Sequence, residues 1–246
     1  MDRPRRILLS FWQQGVFSLI MTGCGLFVVL TIVAMLFYAG GTLIDPTTSG
    51  YSFTTNYFSD LGLTWSHARL PNTVSASLFI AALTMAGGGL ILFFLAFPQF
   101  FTGSRWGKLL SGIGSSFGVI AGICFVGVAF TPANLYLGLH LAVMMWAFRT
   151  FTVAVICYTI AIFRERNYPN RFGFIFVAFT VLLALYVLLL IAGPPYDSPE
   201  GIMVQAVGQK IIVYASVTSI FIQASGARQI AGEQNIAGKC RTTLHA

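Results

Sequence analysis

An arginine stands in the middle of an apolar run, at Trp146-Ala147-Phe148-Arg149-Thr150-Phe151. At the centre of a bilayer helix a guanidinium costs about 3 kcal/mol on insertion scales, and more in simulations. Arg149 is therefore expected in a polar core, meeting backbone carbonyls, glutamines or a ligand anion such as a lipid phosphate, whose oxygens suit its planar fork. A second cation, Lys210, lies in a later apolar run with Tyr214 four residues on. In the same run Gln205, Gln209, Ser216, Ser219 and Gln223 fall within about 80° of one another at 100° per residue, as one polar stripe. Two readings of the stripe stand side by side: glue between helices, or a hydrated pocket.

Asp60 sits in Tyr57-Phe58-Ser59-Asp60-Leu61-Gly62, Asn72 opens the next apolar run, Asn134 follows Thr131-Pro132-Ala133, and His140 comes soon after. Arg149, Lys210, Gln205, Gln209, Tyr214, Asn72 and Asn134 form the set of ligand-binding candidates. The apolar runs hold no acid, so Asp60 is the best counter-ion for Lys210 if its loop dips in. Asp60 and His140 are weak catalytic candidates. They would have to stand within about 3–4 Å, directly or through one water. Ser59 and Ser66 are near in sequence, but no nucleophile-elbow motif accompanies them. Asp60 serves equally well as a turn lock. His140 and Arg149 are nine residues apart and fall on opposite faces of a straight helix, which separates them unless the helix kinks. Catalysis is thus the less favoured reading. Cys24, Cys124, Cys157 and Cys240 are scattered, so neither a metal site nor a disulfide framework is expected. No cofactor is indicated.

These residues are carried by a chain of 246 residues that is 57% hydrophobic and 9% charged, with a mean hydropathy of +0.81. Soluble domains carry about 25% charged residues, so the bilayer is the expected solvent. About 20 apolar residues cross it as a helix. Six such stretches lie near 16–39, 73–97, 109–130, 136–162, 172–192 and 202–224. The expected fold is all-α: one integral membrane domain, 1–246, with six transmembrane helices in a bundle. The first stretch is too long for a signal core and reads as an uncleaved helix.

Basic residues sort by side. Arg3, Arg5, Arg6, Arg105, Lys108, Arg164, Arg166, Arg171, Arg228, Lys239 and Arg241 fall on one side and Arg69 on the other. The positive-inside rule then makes both termini cytoplasmic, in a cytoplasmic (inner) membrane. Asp45, Asp60, Asp197 and Glu200 face out. The net charge of +7 is accounted for by this topology and by anionic lipid headgroups, with no nucleic-acid partner needed. The outer loop 40–72 carries Tyr51, Phe53, Tyr57, Phe58 and Trp65 and is expected to cap the bundle. Residues 225–246 read as a polar cytoplasmic tail. Gly114, Gly118 and Gly122 recur every four residues, a face for close helix packing or for a homo-oligomer or partner protein. Gly87-Gly88-Gly89 could bend the second span or admit a neighbour.

Ser59-Asp60-Leu61-Gly62, then Asn72 with Ser77-Leu78-Phe79, and Thr131-Pro132 with His140, resemble bacterial and archaeal six-helix proteins grouped as a domain of unknown function of the "SDLG" type. The layout is similar to the eukaryotic DRAM/Sfk family, whose first outer loop carries a related Ser-Asp-x-Gly element. That resemblance implies membrane-lipid organisation, with Ser59, Asp60, Gly62, Asn72 and His140 as its positions. Arg149 and Lys210 map to no motif of it and rest on the physical argument.

The leading expectation is a protein that binds or moves a lipid or other anionic amphiphile, with membrane lipids as partners. A structural or regulatory membrane subunit is the alternative, and an intramembrane hydrolase comes third. A proton-coupled transporter would place carboxylates in its helices, and a retinal protein would need a counter-ion for Lys210. Neither requirement is met.

Overall fold

Apolar residues on every face of a long segment leave the helix as the spanning form, since lipid cannot satisfy a free backbone group. The computed structural model describes residues 11–195 and 198–243, with side chains through residue 234. Arg3, Arg5, Arg6 and Asp197, and the side chains of Lys239, Cys240 and Arg241, lie outside the described residues. A π-helical turn, Phe11–Gly15, leads into α1, Val16–Leu36. Then come α2, Thr73–Ala96, α3, Arg105–Ala129, and α4, Ala133–Arg164. The last two are α5, Asn170–Ala192, and α6, Pro199–Thr243. All six are long and apolar enough to cross a membrane. Among the described residues no strand forms; one isolated antiparallel bridge joins Trp65 and Pro71.

Each helix packs on its neighbour in sequence, and α6 returns to α1 to close a six-helix ring. Odd and even helices therefore run in opposite directions. The long 37–72 connection caps one end of the ring. The start of α1 lies at the other end, with the short 97–104 and 165–169 connections and the far part of α6. Arg105, Lys108, Arg164, Arg166, Arg171 and Arg228 gather at this uncapped end. The sixth helix differs from expectation. It continues for 45 residues to Thr243, through the stretch read as a tail. At 1.5 Å per residue it is about 68 Å long, well beyond a hydrocarbon core of about 30 Å.

The glycine face is filled from within the chain. A Cβ on Gly118 would stand 2.1 Å from the Phe94 ring, and one on Gly122 would stand 2.8 Å from the Gly87 carbonyl. Gly114 meets Tyr158 in the same way. All three are buried, so this face joins α3 to α2 and α4. The aromatics released by that close approach stack toward the uncapped end. Phe93 stacks on Phe97 with centroids 4.6 Å apart, and Phe97 meets Tyr158 at 4.8 Å. The Tyr158 hydroxyl is satisfied by Ser115 Oγ at 2.7 Å and the Ser111 carbonyl at 3.2 Å, as a buried tyrosine requires.

Candidate functional site: a capped polar plug above an apolar cavity

The 37–72 segment holds its shape through its own hydrogen bonds. Gly41 has φ +83°, and a Cβ there would stand 2.2 Å from the Ala68 amide nitrogen, so the crossing of the two loop strands admits only glycine. Ser66 N donates to Leu70 O at 2.9 Å and Asn72 N to Thr64 O at 3.0 Å. A 3-10 turn, Phe58–Gly62, then dives into the ring. Asn72 locks that turn to α2: its Nδ2 donates to the Leu61 and Leu63 carbonyls at 3.2 and 2.9 Å, and its Oδ1 accepts from Ala39 N at 3.2 Å. Asn134 does the same for α4, accepting from Thr64 N at 3.2 Å and donating to Thr64 Oγ1 at 2.7 Å. Both asparagines are fastening residues in this structure.

Asp60 is buried within the turn. Its Oδ2 accepts from Asn56 Nδ2 at 3.0 Å and from Tyr57 N at 2.9 Å, and lies 3.3 Å from His67 Nε2. The imidazole beside Asp60 is thus that of His67, which sequence reasoning passed over. His140 is elsewhere: its Nδ1 contacts the Thr131 carbonyl at 2.7 Å, and it is outside ion-pair distance of Asp60. Among the described residues Asp60 and His140 therefore form no direct pair. Burial of the nearby Tyr38 and Tyr51, together with the Asp60 carboxylate, pushes both phenols well above their usual range, so both stay neutral, and Tyr38 Oη accepts from His67 N at 3.4 Å. Tyr51 donates to the Tyr57 carbonyl at 3.0 Å.

Lys210 is 1% exposed. Its Nζ donates to the Asn56 carbonyl and, at 3.1 Å, to Ala206 O one turn back. The ammonium also sits 5.3 Å from the Tyr51 ring and 5.2 Å from the Phe53 ring, within cation–π range. Asp60 does not ion-pair with it: the loop dips in, as anticipated, but it presents a carbonyl and two ring faces first. The charge of Asp60 acts on Lys210 from farther off.

The glutamine stripe resolves into glue. Gln209 Oε1 accepts from Phe58 N at 2.7 Å, fixing the cap turn to α6. Gln205 Nε2 reaches Leu189 O at 3.1 Å and Gln223 Nε2 reaches Phe172 O at 2.8 Å, so these two clasp α5 near opposite ends. Ser216 back-bonds to Ile212 O at 2.7 Å. Tyr214 meets Thr31 Oγ1 at 3.2 Å and ties α6 to α1.

The polar-core placement of Arg149 is corrected. Its side chain is exposed on the outside of the ring, one residue from buried Phe148 and Thr150. His140 is buried on the other face, and the kink in α4 falls at Tyr136, before both residues, so it does not bring them together. Helical side chains lean toward the N-terminus. On α4 that is the capped end, so the guanidinium leans away from mid-membrane.

Below the plug lies the feature that sequence reasoning missed. A cavity of about 310 Å³ opens between α1 and α2 against α6, lined by Gly23, Phe27, Leu83, Gly88, Gly89, Phe125, Val213 and Ile220 among others. Its polar side chains are few, Thr22 and Ser216. The room comes from glycine: a Cβ at Gly88 or Gly89 would meet nothing within 4 Å. Gly87-Gly88-Gly89 was the available signal, but only the fold shows that its first residue packs on α3 while the next two face a void. Its volume is at the small end of ligand pockets, which run about 300–1,000 Å³. Among the described residues no cluster of His, Cys, Asp and Glu could hold a metal. No curated protein and no solved structure matches the chain. Residues 31–222 match the family described as "Protein of unknown function (DUF998)", and the chain, a six-helix membrane protein, belongs to that family.

Proposed function

We propose that the protein binds or moves a lipid or other anionic amphiphile whose apolar chain occupies the cavity between α1, α2 and α6. The cavity carries this reading: it is apolar, lies within the spanning part of the helices, and is walled by glycines that give up packing to make room. Unfilled apolar voids cost stability through lost contacts, so an occupant drawn from the bilayer would repay the arrangement. The likeness of Ser59–Gly62 to the lipid-organising DRAM/Sfk element points the same way. The test is native mass spectrometry of the full-length protein purified in mild detergent. Gly88→Leu should lose retained lipid, and Gly112→Leu, at a position equally open but outside the cavity, should keep it. Equal lipid content in the two variants would refute the reading.

Orientation is part of the same proposal. The capped end faces outward and the basic end faces the cytoplasm, in the cytoplasmic membrane. In a cysteine-free background, Thr47→Cys should react with an impermeant maleimide on intact cells and Arg105→Cys only after lysis.

A second reading, a structural or regulatory subunit, is favoured by one observation. Arg149 is exposed on the lipid-facing side with Trp146 one turn away, and among the described residues it has no hydrogen-bond or ion-pair partner. A membrane partner with a carboxylate at that depth would suit it. Co-purification of a partner with wild type that is lost in Arg149→Leu would favour this reading over the first.

A further inference from the structure

Phe58 packs beside a wall of the cavity and lies two residues from the carbonyl that holds Lys210. Phe58 is 3% exposed, and its ring stands 6.0 Å from Phe27, 5.6 Å from Phe79 and 5.9 Å from Tyr214. Phe27 is itself a wall of the cavity. Two residues before Phe58, the Asn56 carbonyl holds Lys210 Nζ. Along α6, Lys210 precedes the cavity residues Val213 and Ile220 by three and ten positions, about 4.5 and 15 Å of helix. We propose that Phe58 is a gate, and that the occupant is a single-chain amphiphile with an anionic head, a carboxylate or a phosphate monoester, which reaches Lys210 Nζ in place of the Asn56 carbonyl when Phe58 swings aside.

Three observations support this. The ammonium is buried with neutral acceptors and ring faces as its first neighbours, and opposite charges attract far more strongly in a low-dielectric site than in water. An anion is therefore a better partner than the carbonyl it replaces, provided that both charges stay desolvated together. The cavity, about 310 Å³ and almost wholly apolar, is of the size that takes a single apolar chain. The backbone of the gate is tied to α6 by one hydrogen bond, Phe58 N to Gln209 Oε1, and it sits in a 3-10 turn, whose hydrogen-bond geometry is weaker than that of an α-helix. The ring can move without unfolding a transmembrane helix.

The inference rests on the cavity reading, and its test separates the two. The delipidated full-length protein is titrated with palmitate, with 1-palmitoyl-glycerol 3-phosphate and with hexadecanol, which has the chain but no charge. Wild type should bind at least one of the two anions about tenfold or more tightly than hexadecanol, and the stronger of the two identifies carboxylate or phosphate as the natural head. Lys210→Met should abolish that preference and leave hexadecanol binding unchanged, and Lys210→Arg should restore most of it. Phe58→Ala should speed loading several-fold at similar affinity. Gly88→Leu should weaken all three ligands. An anion preference that survives Lys210→Met overturns the role of Lys210 while leaving the cavity standing. Tight binding of all three ligands to Gly88→Leu removes the cavity itself. If Lys210→Met does not fold, an unchanged loading rate in Phe58→Ala overturns the gate.

Discussion

Gly118→Ala is the sharpest test of how the ring is held. A Cβ at this position would stand 2.1, 2.2 and 2.5 Å from three atoms of the Phe94 ring, and ordinary contact begins near 3.4 Å. The ring would have to retreat by roughly 1.3 Å, the difference of those values. It has nowhere to go, being fully buried with Phe93 at 5.2 Å, Tyr158 at 5.6 Å and Phe151 at 6.2 Å from its centroid. Overpacking of this kind costs about 1–3 kcal/mol. Alanine recovers about 1 kcal/mol through helix propensity, so the net loss should be about 0–2 kcal/mol. Gly112→Ala, on the same helix with nothing within 4 Å of its Cβ, collects the propensity gain alone. The propensity gain is common to both, so the two variants should differ by the overpacking cost, about 1–3 kcal/mol, or roughly 5- to 150-fold in the unfolding equilibrium. Reversible unfolding by sodium dodecyl sulfate from mixed micelles, followed by circular dichroism, measures that gap. Equal stabilities would refute the internal-packing account. A fall in oligomer mass by light scattering for Gly118→Ala would show instead that this face meets a second copy.

Three further outcomes follow from the cap. Asn72→Ala leaves the Leu63 carbonyl and the Ala39 amide short of a partner, while Leu61 O keeps Ser75 Oγ at 3.1 Å, at about 1–3 kcal/mol for each buried group that stays unpaired. Limited proteolysis should cut within 37–72 far faster than in wild type, and Asn72→Asp, which cannot donate to the carbonyls, should not rescue it. Asn134→Ala removes only the exposed tie to Thr64, so the melting temperature should hardly move while hydrogen exchange at residues 63–66 accelerates. Hydrogen bonds from Thr47 and Thr48 hold the Asp45 carboxyl below its ordinary value of 3.8. A lowered acid stabilises the fold above its unfolded value and loses that contribution as pH falls through the folded value. Exchange protection of residues 42–48 should therefore hold at neutral pH and fade only below about pH 3.8, with Asp45→Asn unprotected throughout.

The six helices were legible because each is written as an uninterrupted apolar run, and no competing structure can place such a run in lipid. The end of α6 was not, because residues 225–243 are polar and the sequence offers no stop signal for a helix that leaves the bilayer without breaking. The glycine face was legible as spacing, and its direction was not: Gly114, Gly118 and Gly122 look the same whether the neighbour is Phe94 of this chain or another molecule. Arg149 misled for a related reason. Hydropathy places a residue along the helix but not around it. The apolar residues on all sides of α4 give no polar face against which to read an angle, so a central arginine could be assigned to the core when it points outward. His67 was overlooked because nothing in sequence couples it to Asp60, seven residues earlier, until the loop turns back on itself.

The polar residues of the capped end also explain one another. Spans that hold no acid still bury polar groups at this end, and Asn72, Gln209 and Lys210 each find a partner in loop backbone that is not helical. Asn72 takes the carbonyls on either side of the Phe58–Gly62 turn, Gln209 takes the Phe58 amide, and Lys210 takes the Asn56 carbonyl. A transmembrane helix has no backbone groups to spare for such bonds except at its ends. The inserted loop supplies them in the middle of the ring's mouth. This is why the loop is long and why its polar contacts converge on α2 and α6. The same arrangement leaves an apolar hollow immediately beneath it, because a 3-10 turn descending from one end cannot fill the ring as a seventh helix would. A plug bonded to α6 through one amide and one ammonium, standing over a void between α1 and α2, is a structure whose top can shift while its frame stays fixed.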